Sequence, residues 1–330
     1  MPQQKTPPLS DKYAAVDFYQ GRYARGYMEQ WPIEKEQKII QVIRNLELPE
    51  VGEALDFGCG NGVGTEIIRQ ALPSGWKVYG TDISDIAIKN AKERYPGCIF
   101  FVEGDRGFTD KRFDFLFTNH VLEHVYNLPH VLGEINDYLK DESTTLQILP
   151  CGNKCSFEHN ICCLRKDGID PQVGNRFFYE DPGHLRRLNT DQLSALFNEK
   201  NFILVKEYYR NQYYGAINWI TQTGPGFILL FTNTSSALDE KAKWKLRIWR
   251  SKLLLLWASR YPANCVERKL RKWRRTARDY ILLTLTLPFY VFTKPMDFYL
   301  KAKALDEWNK KKTERSGSEM YLFFKRSKRG

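Results

Sequence analysis

The chain has 330 residues, 42% hydrophobic and 27% charged, which excludes a disordered, collagen-like or coiled-coil protein and allows a core of ordinary size. Its net charge of +11 is local, because residues 241–278 hold fourteen Lys and Arg against one acid, Glu267. Such a segment suits an anionic partner: a membrane surface, a nucleic acid or a phosphorylated substrate.

Residues 1–30 are polar and rich in tyrosine, with Tyr19, Tyr23 and Tyr27 among them. Ile39, Ile40, Ile43 and Leu46 fall at helical spacing and predict a helix over 33–46. From Glu53 onward short apolar runs alternate with amphipathic stretches, the pattern of a parallel α/β sheet. Strands are predicted at 53–57, 77–81, 98–102, 113–118 and 144–149. Helices are predicted over 63–71, from a cap at Ser84 to a stop at Pro96, and over 131–139. Residues 150–189 read as loop. Thr190 then caps a helix to Asn198, and 202–209 reads as a sixth strand. Residues 319–326 alternate like a strand and supply the seventh.

Between the last two strands, 215–315 reads as a mostly helical insertion, basic and apolar by turns. Its longest apolar run, 280–292, contains Pro288 and is shorter than the roughly 20 residues a spanning helix needs. The expected organisation is an N-terminal helical cap over 1–50, a core over 51–214, the insertion over 215–315 and a C-terminal strand of the core within 316–330.

The sharpest motif is Asp56-Phe57-Gly58-Cys59-Gly60-Asn61-Gly62-Val63-Gly64, where a strand ends and a helix opens. Glycine permits positive φ and lets backbone approach a ligand closely. A turn here lies in the crevice outside the strands' carboxyl ends. The dinucleotide fingerprint wants a glycine sixth from Gly58, where Val63 stands, and no Walker Lys-Ser/Thr follows. NAD and a phosphate cradle therefore fit poorly. Asp56 would repel a pyrophosphate but could pair with a cationic amino group.

With D-x-G-x-G-x-G at residues 56–62, the chain resembles the class I S-adenosylmethionine (SAM)-dependent methyltransferases over 52–209 and the last strand. The resemblance implies a Rossmann-like seven-stranded α/β fold that binds SAM, with no other cofactor and no metal. Asp56, Gly58, Gly60 and Gly62 would then line the methionine half, with Asp56 near its amino group. Asp82 would hold the ribose hydroxyls, and Ile83 would flank the adenine. Gly104 and Asp105 would lie at the adenine amino group. Asn119 and His120, after the fourth strand, would lie beneath the sulfonium. Tyr19 and Tyr23 fall in a segment that closes over SAM in this family, where an aromatic wall attracts the sulfonium.

A hydroxyl nucleophile gains from losing its proton, and histidine is the usual base near neutral pH. His184, in DPGHLR, and His124, in VLEHV, are the candidates, each with a purely structural alternative. His130 reads as a surface residue. Cys151, Cys155, His159, Cys162 and Cys163 cluster without matching a zinc spacing and read as part of an acceptor-side loop. Seven cysteines without a disulfide pattern or an apolar N-terminal leader suggest a cytoplasmic setting.

The function expected is methyl transfer to a small-molecule acceptor, lipid-linked or glycan in one reading, at oxygen. Within 241–292, Lys and Arg mix with Trp and Leu, as in a helix lying in an anionic membrane surface. The same apolar faces could instead pack on the core or on another subunit. RNA binding lacks any recognisable motif. A membrane-attached scaffold of this fold without activity, and an RNA methyltransferase, stay open as alternatives.

Overall fold

The computed structural model describes residues 12–24, 28–105, 107–108, 110–181, 183–272 and 274–326. Tyr27 and residues 1–11 of the expected cap lie outside the described residues. The chain opens with helices α1 (Lys12–Tyr23) and α2 (Ile33–Arg44), then β1 (Val51–Phe57), α3 (Val63–Ala71), β2 (Gly75–Asp82), α4 (Asp85–Arg94) and β3 (Ile99–Val102). It continues with β4 (Phe113–Asn119), α5 (Leu128–Asp137), β5 (Leu139–Pro150), α6 (Phe157–Cys162) and the short strands β6 (Ile169–Asp170) and β7 (Arg176–Phe177). Next come α7 (Thr190–Asn198), β8 (Phe202–Arg210), α8 (Tyr214–Thr223), α9 (Pro225–Phe231) and α10 (Glu240–Leu270). A 3₁₀ turn, Leu287–Phe289, joins α11 (Ala277–Thr286) to α12 (Tyr290–Lys311), and β9 (Glu319–Arg326) closes the chain.

A seven-stranded sheet runs in the order β3-β2-β1-β4-β5-β9-β8, and the pairs among β1 to β5 are parallel. This is the Rossmann-like architecture, with a helical segment before the last strand. Asp56 stands opposite Gly80 of β2 and Phe117 of β4, so the carboxyl ends of these three strands lie side by side. Ser84 caps α4 as the sequence suggests, its Oγ accepting from the Ala87 N–H at 3.2 Å.

The stretch 150–189, expected as loop, holds α6 and the antiparallel pair β6–β7, and among boundary shifts two are the largest. Helix α5 starts at Leu128 because the Asn127 side chain accepts from the His130 N–H at 3.2 Å and caps it there. Strand β5 starts at Leu139, five residues early, because its opening residues Lys140, Asp141 and Glu142 are exposed and hide the strand in a charged run.

The chain divides into two compact units, one of 1–149, 191–207 and 321–330, the other of 150–190 and 208–320. In the first, Leu55, Phe115, Phe117, Leu146 and Ile148 are fully buried in the sheet. In the second, Phe157, Ile220, Phe231, Leu246 and Leu253 form an apolar core. Leu246 and Leu253 belong to the basic helix α10, so one apolar side of that helix packs within its own unit. Arg260 of α10 and Asp297 of α12 are both fully buried and paired, with Nε donating to Oδ1 at 3.0 Å. Removing either partner would strand a buried charge. Among the described residues no helix is long and apolar enough to cross a membrane.

Candidate functional site

The glycine turn is pinned to the end of β2, since the N–H groups of Gly58 and Cys59 both donate to the Thr81 carbonyl at 2.9 Å. Gly58 has φ +75°, and a Cβ there would meet Val121 Cγ2 at 2.5 Å. Gly60 has φ +51°, and a Cβ would meet the Tyr23 hydroxyl at 2.8 Å. Both positions exclude a side chain by conformation and by space. Gly62 plays another part: it caps α3, and a Cβ would meet Phe100 of β3 at 2.9 Å.

Asp82 closes the turn from β2. Its Oδ2 accepts from the Gly60 N–H and its Oδ1 from the Ser84 N–H, each at 2.9 Å. Burial pushes its carboxyl up to about 6 against those donors, with Glu103 adding in the same direction. Asp56 sits behind the turn, buried, with Oδ2 accepting from Thr65 Oγ1 at 2.7 Å. Burial pushes it up to about 7, and the charge of Asp82 adds to this.

These groups border a cavity of about 270 Å³ in the first unit. Of the residues singled out in the sequence, Gly58, Gly60, Asp82, Ile83, Asn119, His120, His124 and Tyr23 line it. Asp56 and Gly62 are not on its wall. Neither are Gly104 and Asp105: Gly104 has open space around its Cβ position, and Asp105 is exposed, its Oδ1 accepting from Gly107 N–H at 3.2 Å. The wall beyond β3 is formed instead by Glu103, which sequence reasoning missed. The signal is the ladder itself, because the Glu103 N–H donates to the Asp82 carbonyl at 3.0 Å and continues the strand pairing by one residue.

Tyr19, expected as an aromatic wall, also lines the cavity, as do Trp31 and Tyr126, which the sequence did not single out. With Asp82, Glu103 and Glu134 also lining it, the cavity offers carboxylates and aromatic rings, a lining suited to a cation. Asn119 is 8% exposed, and its buried Oδ1 has no hydrogen-bond partner among the described residues.

His120 follows with φ +54°, a left-handed conformation rare outside glycine, held by its N–H donating to the Ile148 carbonyl at 2.8 Å. Its Nδ1 lies 2.8 Å from Oε1 of Glu123, and His124 Nε2 lies 4.0 Å from the same oxygen. Tyr19 meets the His124 ring edge-on at 5.7 Å between centroids. His130 has a largely exposed side chain, as expected, and stands at the cavity rim 3.5 Å from Glu134.

His184 belongs to the second unit, with Nδ1 3.7 Å from Glu180 Oε1. Glu180 also pairs with buried Arg187, which holds its carboxyl below the usual range despite burial. Arg187 in turn donates to the carbonyls of Cys151 at 2.8 Å and Ser318 at 2.9 Å. In the cysteine-rich stretch, Cys151 and Cys162 are buried while Cys155 and Cys163 are exposed. Cys163 Sγ lies 3.6 Å from His159 Nδ1. Asn153 has a structural place, since its side chain donates to Thr190 Oγ1 at 3.0 Å and accepts from the Thr190 N–H at the start of α7.

A family model described as a methyltransferase domain matches residues 21–207. Trans-aconitate 2-methyltransferase of Variovorax paradoxus is 37% identical over 60 residues, 18% of this chain and 23% of that protein. The match thus spans about a quarter of the curated relative's length. Among solved structures, magnesium protoporphyrin IX methyltransferase from Synechocystis PCC 6803, with bound SAH, has TM-score 0.43 at 17% identity, covering 60% of this chain and 93% of that one. A TehB-like SAM-dependent methyltransferase from Corynebacterium glutamicum has TM-score 0.36 at 18% identity, covering 59% and 85%. The cyclase SpnF has TM-score 0.44 at 10% identity, covering 88% and 80%.

Proposed function

The chain belongs to the methyltransferase-domain family, and on that premise we propose that it transfers a methyl group from SAM to the oxygen of a small-molecule acceptor. The observation that carries this reading is one cavity lined by the glycine turn, Asp82, Asn119, His120 and His124. SAM, when bound, supplies a methyl group on a cationic sulfur.

The residues present fit such a group. Gly58 and Gly60 leave a cradle that any Cβ would fill. Asp82 keeps lone pairs beyond those taken by Gly60 and Ser84, enough to accept from a pair of hydroxyls. Ile83 offers an apolar edge to a base. Asn119 Oδ1 is a buried acceptor lacking a partner within the described residues. Tyr23 and Tyr19 supply the aromatic side. Asp56 acts from behind the wall, where Thr65 holds it and it steadies the turn. The adenine-side contact is assigned to Glu103 rather than to Asp105 or Gly104.

The acceptor hydroxyl gives up its proton as its oxygen takes the methyl group. His120 and His124 share Glu123, whose carboxylate stabilises the imidazolium that forms. The chain's remaining task is alignment of oxygen and methyl in a closed site. His184 is the candidate base of the second unit.

The same reading places the protein peripherally at an anionic membrane surface through 241–292, with a lipid-linked or glycan acceptor. It is supported by the charge of 241–278. Nucleic acid is disfavoured as acceptor. The test is transfer of labelled methyl to a panel of small hydroxyl and carboxyl acceptors by the full chain and by His120→Ala, His124→Ala and His184→Ala. Turnover lost in at least one variant with SAM binding kept supports the reading. Turnover intact in all three sinks the assignment of the base, and no turnover on any acceptor favours the inert scaffold.

A further inference from the structure

Within the 241–292 segment, the structure separates what is packed from what is not. Helix α10 sends Leu246 and Leu253 into the core of its own unit. The run that follows does the opposite. Ile281, Leu285, Leu287, Phe289, Val291 and Phe292 are between 57% and 82% exposed, with Phe292 the most exposed. Six large apolar side chains along one continuous stretch exceed the scattered singles of an ordinary surface.

The stretch 280–293 contains no charged residue. Fully helical, it would reach only about 21 Å, short of the roughly 30 Å of a bilayer core, and the 3₁₀ turn with Pro288 breaks it. It cannot span, but it can lie flat. Its threonine hydroxyls are already satisfied: those of Thr284, Thr286 and Thr293 donate to the carbonyls of Tyr280, Leu282 and Phe289 at 3.1, 2.7 and 2.9 Å. That lowers the cost of placing these hydroxyls in an apolar interface.

The flank supplies the charge. Arg268, Arg271, Arg274, Arg275 and Arg278 are all exposed. The nearby acids are engaged by lysines: Asp279 by Lys272 at 2.9 Å, Glu267 by Lys301 at 2.9 Å and Asp297 by Lys301 at 2.9 Å. The exposed sign beside the apolar stretch is therefore positive, which complements an anionic lipid surface.

We propose that α11, the 3₁₀ turn and the first turn of α12 form a shallow wedge that lies in the interface of an anionic bilayer, with the arginines of 268–278 on lipid phosphates. The proposal rests on the peripheral reading above and names the element that carries it. A second copy of the chain and RNA are the competing occupants.

The full chain is mixed with vesicles of phosphatidylcholine alone or with about 30% phosphatidylglycerol and sedimented. It should pellet with the anionic vesicles, and about 0.5 M salt should release much of it. Phe289→Ser/Phe292→Ser and, separately, Arg271→Gln/Arg274→Gln/Arg278→Gln should each weaken binding at least roughly ten-fold, with melting temperature and SAM affinity unchanged. Wild-type protein left in the supernatant, or variants that pellet like wild type, overturns the wedge. So does a wild-type dimer that the serine variant converts to monomer, or tighter binding to an RNA oligomer than to vesicles. Any of these leaves the cavity reading intact, whereas vesicle binding without SAM binding would overturn the cavity reading alone.

Discussion

Glu123 is 1% exposed at its side chain, and one of its carboxylate oxygens lies 2.8 Å from Nδ1 of His120, a residue with φ +54°. A carboxylate is rarely buried without a cationic or hydrogen-bonding task. A left-handed histidine is likewise rare and costs of order 1 kcal/mol or more. The two departures stand next to each other, and His120 of the pair lines the cavity.

Glu123→Gln keeps the shape and removes the charge. With an acceptor in hand, kcat should fall by roughly 10- to 100-fold, while the SAM dissociation constant stays within about two-fold. A merely structural Glu123 would lower stability and SAM affinity together. Steady-state kinetics over a pH series and a thermal melt distinguish the two.

Asp82→Asn retains one acceptor oxygen and replaces the other with a donor that opposes the Gly60 N–H or a ligand hydroxyl. SAM affinity should fall by at least about ten-fold, since hydrogen bonds to a charged group contribute about 1.5–3 kcal/mol. In the wild type, burial has raised the Asp82 carboxyl to about 6. SAM should therefore bind more weakly at pH 5 than at pH 7.5, and titration calorimetry at both values checks it.

Gly58→Ala forces a Cβ to 2.5 Å from Val121 at φ +75°. The conformation alone costs about 1–2 kcal/mol, and the clash displaces the cavity wall. Gly104→Ala is the control, with φ +87° but nothing within 4 Å. The first should lower melting temperature and abolish SAM binding. The second should lower stability by the conformational cost only and leave SAM affinity near wild type.

Asp56 gains its proton near pH 7 in the folded chain, against an ordinary value of 3.8, mainly because burial disfavours its carboxylate. A raised acid contributes its full stability below the unfolded value and loses it as pH rises through the folded one. Ionised Asp56 thus opposes folding above pH 7, by at most about 4 kcal/mol. Asp56→Asn can still accept from Thr65 and carries no charge. Without ligand, its melting temperature should exceed wild type at pH 8.5, and the gap should shrink toward pH 5. Differential scanning calorimetry across that range checks the sign.

The glycine turn was legible because only glycine tolerates the φ at Gly58 and Gly60, so the requirement is written in the residues themselves. Ser84 was legible because a cap is local chemistry, whereas Thr190, expected as a cap, is the first residue of α7 with its Oγ1 held by Asn153 and Tyr209. That Glu103 rather than Asp105 lines the cavity was not legible, because a turn after a strand can present either acid. The pairing of Glu123 with His120 was hidden too, because only the fold buries that carboxylate beside the ring. In the basic segment, the leucines at 253–256 surround the helix and show no period. Only tertiary packing reveals that Leu253 is buried and Leu255 is 71% exposed.

The most direct measurement is calorimetric titration of the purified full chain with SAM, with NAD as control and Asp82→Ala as the silent site. Binding of SAM at one site per chain, none of NAD, and loss of SAM binding in Asp82→Ala is the expected result. Absence of SAM binding, equal binding of NAD, or SAM binding undiminished in Asp82→Ala would contradict the assignment of this cavity.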